Sequence, residues 1–254
     1  MTTCWTPSTM TNTEFDARAI ALDLLREETE RDKQRLVGAS NLSNPCTRCL
    51  AEDMYIMIDP SHPVAPRGKY YLGAVVGTAI HGLLEERALC TPGLVPETRV
   101  IIGEIPGYGV LKSTSDLYVV NHAGVVDWKT TTKEKLKSLR LVPRLPASEL
   151  DTDPVVKARY KFKQYFTQLN LYGKGVEDSG LPVQTVSVVF IARDASTEAD
   201  VWAHTQPYQR EVAEHALDRA TRIWQAMEQG RKPESFKSHD ECYTCSVRRT
   251  EVDL

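Results

Sequence analysis

Residues 124–131, Gly-Val-Val-Asp-Trp-Lys-Thr-Thr, constrain the fold more than any other segment of this chain. Their apolar run predicts a β-strand that ends near Asp127 and Lys129. Side chains two positions apart on a strand point to the same face of the sheet, so the carboxylate and the ammonium should lie side by side. An isolated Asp-x-Lys is most often a surface ion pair, so the neighbouring segments decide its meaning.

A second acid precedes another apolar run eleven residues upstream. Asp116 leads into Leu-Tyr-Val-Val, and residues 121–124 predict the turn of a hairpin that joins the two strands. Residues 97–102 alternate like a strand and a turn is expected at Pro106–Gly107, so the region predicts a three-stranded meander. Two carboxylates and an ammonium at one edge of such a sheet suit a hard divalent cation and a charge stabiliser.

An amphipathic helix is predicted just before the meander, over residues 71–86. It carries His81 on or beside its apolar stripe, where a histidine is most often a hydrogen-bonded core residue. Glu85, one turn later, shares the face of His81 and could orient its imidazole. The remaining patterns predict helices over 13–36, 164–176 and 206–230, the last ending at Gly230, and a buried strand over 185–192.

Basic residues are concentrated after the Asp-x-Lys segment, although the formal net charge of the chain is −3. From Lys129 to Arg144 there are six lysines or arginines against one acid, and basic residues then alternate with aromatic residues from 157 to 166. A charge run is usually a solvated face, but cations and aromatic rings beside a metal site are also what nucleic-acid binding requires. The candidate DNA contacts in this run are Lys133, Lys135, Lys137 and Arg140.

Two Cys-x-x-Cys pairs lie near opposite ends of the chain, Cys46 with Cys49 and Cys242 with Cys245. No signal-peptide pattern and no membrane-length apolar run is present, so we expect a cytoplasmic protein without a membrane partner, in which cysteines bind metal more often than they form disulfides. Four thiolates suit Zn²⁺ or an iron–sulfur cluster, and one shared centre would join the two ends of the fold. One alternative is two unrelated pairs of free thiols. Another is a redox pair, but the sequence lacks the βαβ pattern of thioredoxin-like folds.

The length of 254 residues and an apolar content of 41% fit one globular domain. Residues 1–12 are polar and rich in threonine, so we expect a disordered tail followed by a single domain over 13–254.

Taken in order, the motifs resemble the RecB-type branch of the PD-(D/E)XK nuclease superfamily, and in particular its iron–sulfur members, the CRISPR-associated exonucleases and AddB-type helicase–nucleases. The resemblance covers roughly residues 43 to 245. Four segments carry it: Gly77-x-x-x-His81, Asp116, Asp127-Trp128-Lys129, and Gln168-x-x-x-Tyr172, which is similar to the motif that marks the RecB branch and contacts DNA.

The resemblance implies an α/β fold with a restriction-endonuclease-like core, in which helices flank a central mixed sheet and the cysteine site joins the N- and C-terminal segments. It implies that His81, Asp116, Asp127 and the backbone carbonyl of Trp128 bind Mg²⁺ or Mn²⁺, with Lys129 as a further catalytic residue; the imidazole favours Mn²⁺. Glu97 is a weaker candidate for an outer-shell role. Because Asp127 and Lys129 are expected at a strand end, replacing either with alanine should abolish cleavage and leave the fold intact.

Two features depart from the family pattern. Ser113 stands where a glycine usually precedes the second-motif acid, and the cysteines are divided two and two, whereas the family usually has one N-terminal and three C-terminal cysteines. The symmetric pairs suit a tetrahedral Zn²⁺, whereas the resemblance implies a [4Fe–4S] cluster; we expect the cluster, because joining distant segments is the family's use of it, with Zn²⁺ as the alternative. The expected function is a DNA exonuclease for single strands or duplex ends in recombination, repair or DNA processing, with a recombination or helicase partner. A non-catalytic DNA-binding module of the same fold is the alternative, although no catalytic ligand is missing.

Overall fold

The computed structural model describes residues 36–62, 72–145 and 155–246; the expected tail and nearly all of the helix expected over 13–36 lie outside these ranges. None of the helices in the described ranges is long and apolar enough to cross a membrane. The helices are α1 (Ala39–Leu42), α2 (Thr47–Tyr55), α3 (Leu72–Leu89), α4 (Lys133–Leu141), α5 (Val155–Asp178) and α6 (Arg210–Glu228). The strands are β1 (Leu94–Ile105), β2 (Gly109–Val119), β3 (Gly124–Thr131), β4 (Thr185–Ala192) and β5 (Val201–Pro207).

One five-stranded sheet of order β1-β2-β3-β4-β5 forms the centre of the molecule. The β1–β2–β3 meander is antiparallel, as predicted, β3 and β4 are parallel, and β5 pairs antiparallel with β4. A parallel pair needs a long crossover, and α4 and α5 provide it between β3 and β4. The structure therefore confirms the predicted α/β class with a mixed sheet flanked by helices.

The core lies between the sheet and helices α5 and α6. Alternate residues of β4 are fully buried, among them Val188 and Phe190, as expected for an apolar strand covered by a helix. Three alanines of α6 are buried at 0 to 6% exposure, and these small side chains allow the helix to approach its neighbours closely: Ala213, Ala216 and Ala220. Gly230, at φ 92°, follows the end of α6, as predicted.

Helix α5 begins at Val155, nine residues before the predicted start, and this changes the meaning of the alternating basic and aromatic residues. Tyr160, Phe162 and Phe166 are buried, with 8%, 7% and 6% of their surfaces exposed. Phe162 packs against Phe166 and His204, with ring centroids 4.8 and 5.2 Å apart. The alternation is that of an amphipathic helix, so these three rings belong to the core and offer no surface for stacking bases.

Strand β5 was not predicted, and the helix predicted from Gln206 begins instead at Arg210. Gln206 lies in β5, opposite Val186 of β4. β5 is an edge strand with exposed and half-buried positions in alternation, and polar residues occupy several of them. Such a strand lacks the apolar run that reveals a buried strand such as β4.

Candidate functional site

A groove of about 1060 Å³ brings together residues of α3, the meander and α5. Most of the side chains predicted to bind metal or to act in catalysis line it. The lining includes His81, Glu97, Arg99, Ile101, Lys112, Asp116, Asp127, Lys129, Gln168 and Tyr172.

Asp127 and Lys129 lie within β3, which continues to Thr131, so the prediction that they mark a strand end is wrong. The side chain of Asp127 is 2% exposed, and its Oδ2 lies 2.7 Å from Nζ of Lys129. This contact is the ion pair that links the two side chains, and the described residues give Oδ2 no further hydrogen-bond donor. Burial raises the pKa of Asp127 to about 6, and the charge of Lys129 opposes that rise. Burial is the largest single effect on Lys129 and lowers its pKa, but Asp127, Tyr172 and Asp116 together outweigh burial, so the pKa is raised.

Asp116 connects β3 to α3. Its Oδ2 accepts a hydrogen bond of 2.7 Å from the backbone amide of Trp128, and its Oδ1 lies 3.5 Å from Nδ1 of His81. The contact with Asp116 raises the pKa of His81, against the opposing effect of burial. Pairing of β2 with β3 extends only to Leu117 and Val126, so Asp116 occupies the place where the two strands separate. The role of the Trp128 carbonyl as a ligand stays a prediction.

Gln168 and Tyr172 lie one turn apart on α5, beneath the carboxylate of Asp127. Nε2 of Gln168 donates to the Tyr172 hydroxyl at 2.6 Å and to Oδ1 of Asp127 at 3.4 Å. Each of the two side chains is 6% exposed. Because both are buried and linked to Asp127, they are placed to hold its side chain in position. Whether they also contact DNA, as the resemblance implies, stays a prediction.

Two carboxylates, an imidazole and an ammonium around one groove suit a cation and an anionic substrate. The ligand shell is not closed, however. Of the residues with described positions, only the four cysteines bring ligand atoms of three or more His, Cys, Asp or Glu side chains within 4.8 Å of one another. His81, Asp116 and Asp127 would have to draw closer to share one ion.

Glu97 has an unusual backbone conformation and lies in the same groove as His81, Asp116 and Asp127. Its φ is 47°, in the left-handed region that side chains other than glycine rarely adopt. The β1–β2 register runs from Pro96–Leu117 to Thr98–Ser115, which places Glu97 across from Asp116. Strain of this kind costs about 1–3 kcal/mol and is often stored at functional sites. No residue pattern in the sequence predicts the left-handed conformation of Glu97.

The four cysteines of the two Cys-x-x-Cys pairs meet in one buried cluster, as predicted. Sγ of Cys49 lies 3.3 Å from that of Cys242 and 3.5 Å from that of Cys245, and Cys46 and Cys245 are 3.6 Å apart. Four thiolates about 2.3 Å from one tetrahedral ion would be ~3.8 Å apart, close to these values. Burial raises the pKa of Cys245 to about 12, so full ionisation of the cluster needs a compensating cation.

Neighbouring groups fix the first cysteine pair. The Asn44 side-chain oxygen accepts hydrogen bonds from the Cys46 amide and from the Tyr160 hydroxyl of α5. Arg219 of α6 donates to the carbonyls of Leu42 and Asn44, both at 2.7 Å. The cluster is thereby joined to the two helices that cover the sheet.

The basic residues of α4 lie apart from the groove. Nζ of Lys133 contacts Ser196 Oγ at 2.7 Å and Asp200 at 3.1 Å. Arg140 donates to the carbonyls of Ala199 and Val201. Lys135 and Lys137 are exposed, and none of the four basic residues predicted to contact DNA lines the groove.

No protein-family model matches the chain, and none of the curated proteins compared with it matches. Among solved structures, an alkaline exonuclease from Laribacter hongkongensis is similar at 11% identity and a TM-score of 0.48, over 88% of this chain and 97% of that chain. A phage-related exonuclease from Haemophilus somnus 129PT is similar at 11% identity and a TM-score of 0.45, over 77% of this chain and 96% of that chain. Likenesses at this level establish neither a family nor an activity, so the function has to be inferred from the groove.

Proposed function

We propose that this chain is a divalent-metal-dependent DNA exonuclease of the RecB-type PD-(D/E)XK kind, acting on single strands or duplex ends in recombination, repair or DNA processing. One observation carries the proposal: His81, Asp116, Asp127 and Lys129, from one helix and two strands, surround a single groove. A packing role does not account for an imidazole, two carboxylates and an ammonium at one cavity, since each is costly to remove from water.

The proposed ligands of Mg²⁺ or Mn²⁺ are His81, Asp116, Asp127 and the Trp128 carbonyl. When bound, the cation supplies an activated water and polarises the scissile phosphate. The donor set fits such an ion, because two carboxylates and an imidazole line one groove and the described residues give the buried Oδ2 of Asp127 no partner besides Lys129. Asp116 holds His81 toward the groove through its other oxygen.

Lys129 has two roles in this proposal. Its ammonium keeps Asp127 ionised, and it can stabilise negative charge that develops on the phosphate during hydrolysis. Gln168, itself oriented by Tyr172, limits the rotation of Asp127 through the contact with Oδ1. The catalytic carboxylate is thus fixed from one side by α5 and from the other by Lys129.

For the four cysteines we propose one structural metal centre that joins the two ends of the fold. The family resemblance implies [4Fe–4S], whereas the sulfur spacing of 3.3–3.6 Å matches the zinc alternative. The colour of the purified protein and its metal content distinguish the two, because an iron–sulfur protein is brown and a zinc protein is colourless.

The test of the proposed function is cleavage of end-labelled single-stranded and duplex DNA with and without Mn²⁺ or Mg²⁺. We expect Mn²⁺-dependent release of nucleotides from an end, and its loss in Asp116→Asn. Asp218→Asn is the matched control, since Asp218 is exposed on α6 and does not line the groove. Metal-dependent DNA binding without cleavage by the wild type would instead support the non-catalytic DNA-binding alternative.

A further inference from the structure

We propose that the β1–β2 hairpin carries a track for single-stranded DNA, which leads away from Asp116 past Arg99 and Lys112. This inference rests on the proposed function and deepens it. It names single-stranded DNA as the ligand of the groove, and it names the residues that bind the DNA. The sequence motifs do not include either cation.

The strand register places the two cations on the face of Asp116. Arg99 pairs with Thr114, and Lys112 pairs with Ile101. Paired residues of an antiparallel ladder share a face, and so do alternate residues of one strand. At about 3.4 Å per residue, Arg99 lies one two-residue step of ~7 Å from Asp116 along the strands, and Lys112 lies two such steps away. The groove therefore carries positive charge at regular intervals from the metal-binding acid outward.

Among the described residues, neither cation has a neutralising partner. Arg99 and Lys112 are exposed, and the described residues give neither of them a hydrogen bond or an ion pair. Both line the groove, unlike Lys133 and Arg140, which are bonded to other parts of the chain. A free cation at a groove wall can bind a phosphate and release its counterions without first breaking a protein contact.

Apolar surface beside and beyond Lys112 indicates an unpaired DNA strand, because Ile101 lies opposite Lys112 and Val110 lies two residues farther from Asp116. Ile101 is 55% exposed and Val110 is 38% exposed, and both line the groove. Unpaired nucleotides present the faces of their bases, which can contact apolar side chains while a basic groove follows the backbone. Paired bases are stacked inside a duplex and present no free face to this surface.

The experiment measures binding of fluorescein-labelled oligo-dT by anisotropy over a series of salt concentrations, without added divalent cation. The variant is Arg99→Gln/Lys112→Gln. The matched control, Arg222→Gln/Lys237→Gln, removes two exposed cations that do not line the groove. For two phosphate contacts we expect the slope of log K against log salt to become shallower by ~1.4, at about 0.7 per contact for single strands. The control should keep the wild-type slope.

Two further measurements test the contribution of the apolar surface around Ile101 and the preference for single-stranded DNA. Ile101→Ser should weaken oligo-dT binding with an unchanged salt slope, and unlabelled duplex should compete less well than unlabelled single strand. An unchanged slope in the Arg99/Lys112 variant overturns the track, and equal competition by duplex overturns its single-strand preference. Failure of the proposed function has a different result, namely wild-type protein that binds the oligonucleotide and never cleaves it in Mn²⁺.

Discussion

Replacing Lys129 with methionine should destabilise the fold as well as abolish cleavage. The ammonium lies 2.7 Å from a carboxylate that is 2% exposed, so the change leaves a buried negative charge without its partner. Removing one member of a buried ion pair costs about 3–5 kcal/mol. Because the Lys129 side chain is 23% exposed, water can partly replace it, and we expect the lower end, about 3 kcal/mol. This differs from the sequence-based expectation of an intact fold, which assumed a strand end.

The measurement is urea unfolding followed by circular dichroism, without added divalent cation. Lys137→Met is the matched control, since Lys137 is exposed on α4 and should change stability by no more than about 0.5 kcal/mol. The double variant Asp127→Asn/Lys129→Met removes the buried charge as well, so it should be more stable than Lys129→Met alone, by about 1–2 kcal/mol.

Two results would refute this account of the pair. One is a Lys129→Met protein as stable as the Lys137→Met control. The other is a double variant no more stable than Lys129→Met, which would show that the charge of Asp127 is not the source of the cost. Lys129→Arg keeps a cation and should retain most of the stability, so cleavage by this variant reports on the chemistry separately from the fold.

Four other substitutions test further features. Phe162→Ala should lower the free energy of unfolding by about 3–5 kcal/mol and leave the DNA affinity of the folded protein unchanged, because the ring is a core residue; urea unfolding and anisotropy check this. Glu97→Gly should relieve a left-handed φ and stabilise by about 0.5–1 kcal/mol while slowing cleavage, whereas Ala123→Gly, at φ 46°, should give the stability gain alone. Cys245→Ser should lower the melting temperature and the content of bound iron or zinc, with less effect on cleavage per folded molecule, because the cluster joins distant segments.

Local patterns were sufficient for the parts of the fold whose signals are local. The meander and the buried strand β4 were predictable because apolar alternation, apolar runs and turn residues are visible within a few positions. β5 was missed because an edge strand needs few apolar residues. The start of α5 was placed too late because its lysines and arginines concealed the apolar stripe formed by residues such as Phe162.

The residues of the candidate site were predictable from the sequence, but their burial and backbone conformation were not. The motif residues His81, Asp116, Asp127 and Lys129 do line one groove. Only Asp127 of the four is buried, and its link to Gln168 could not be predicted from local pattern, because it depends on α5 covering β3 from a distant part of the chain. Nor was the left-handed φ of Glu97 predictable, because a glutamate rarely adopts that conformation.

The distribution of cations shows that the number of charges in a segment does not reveal which cations are already bound to other parts of the fold. The most basic run of the chain includes Lys133, which binds Asp200, and Arg140, which binds the carbonyl groups of Ala199 and Val201 at the start of β5. A phosphate can recruit these side chains only by displacing their present partners, so the exchange returns little net free energy. Arg99 and Lys112 come from no basic run, yet they have no such partners among the described residues and stand at the groove wall. What decides a cation's contribution to DNA binding is whether the fold has already neutralised it, and that depends on contacts some 60 residues away in the sequence, as between Lys133 and Ser196, which are 63 positions apart.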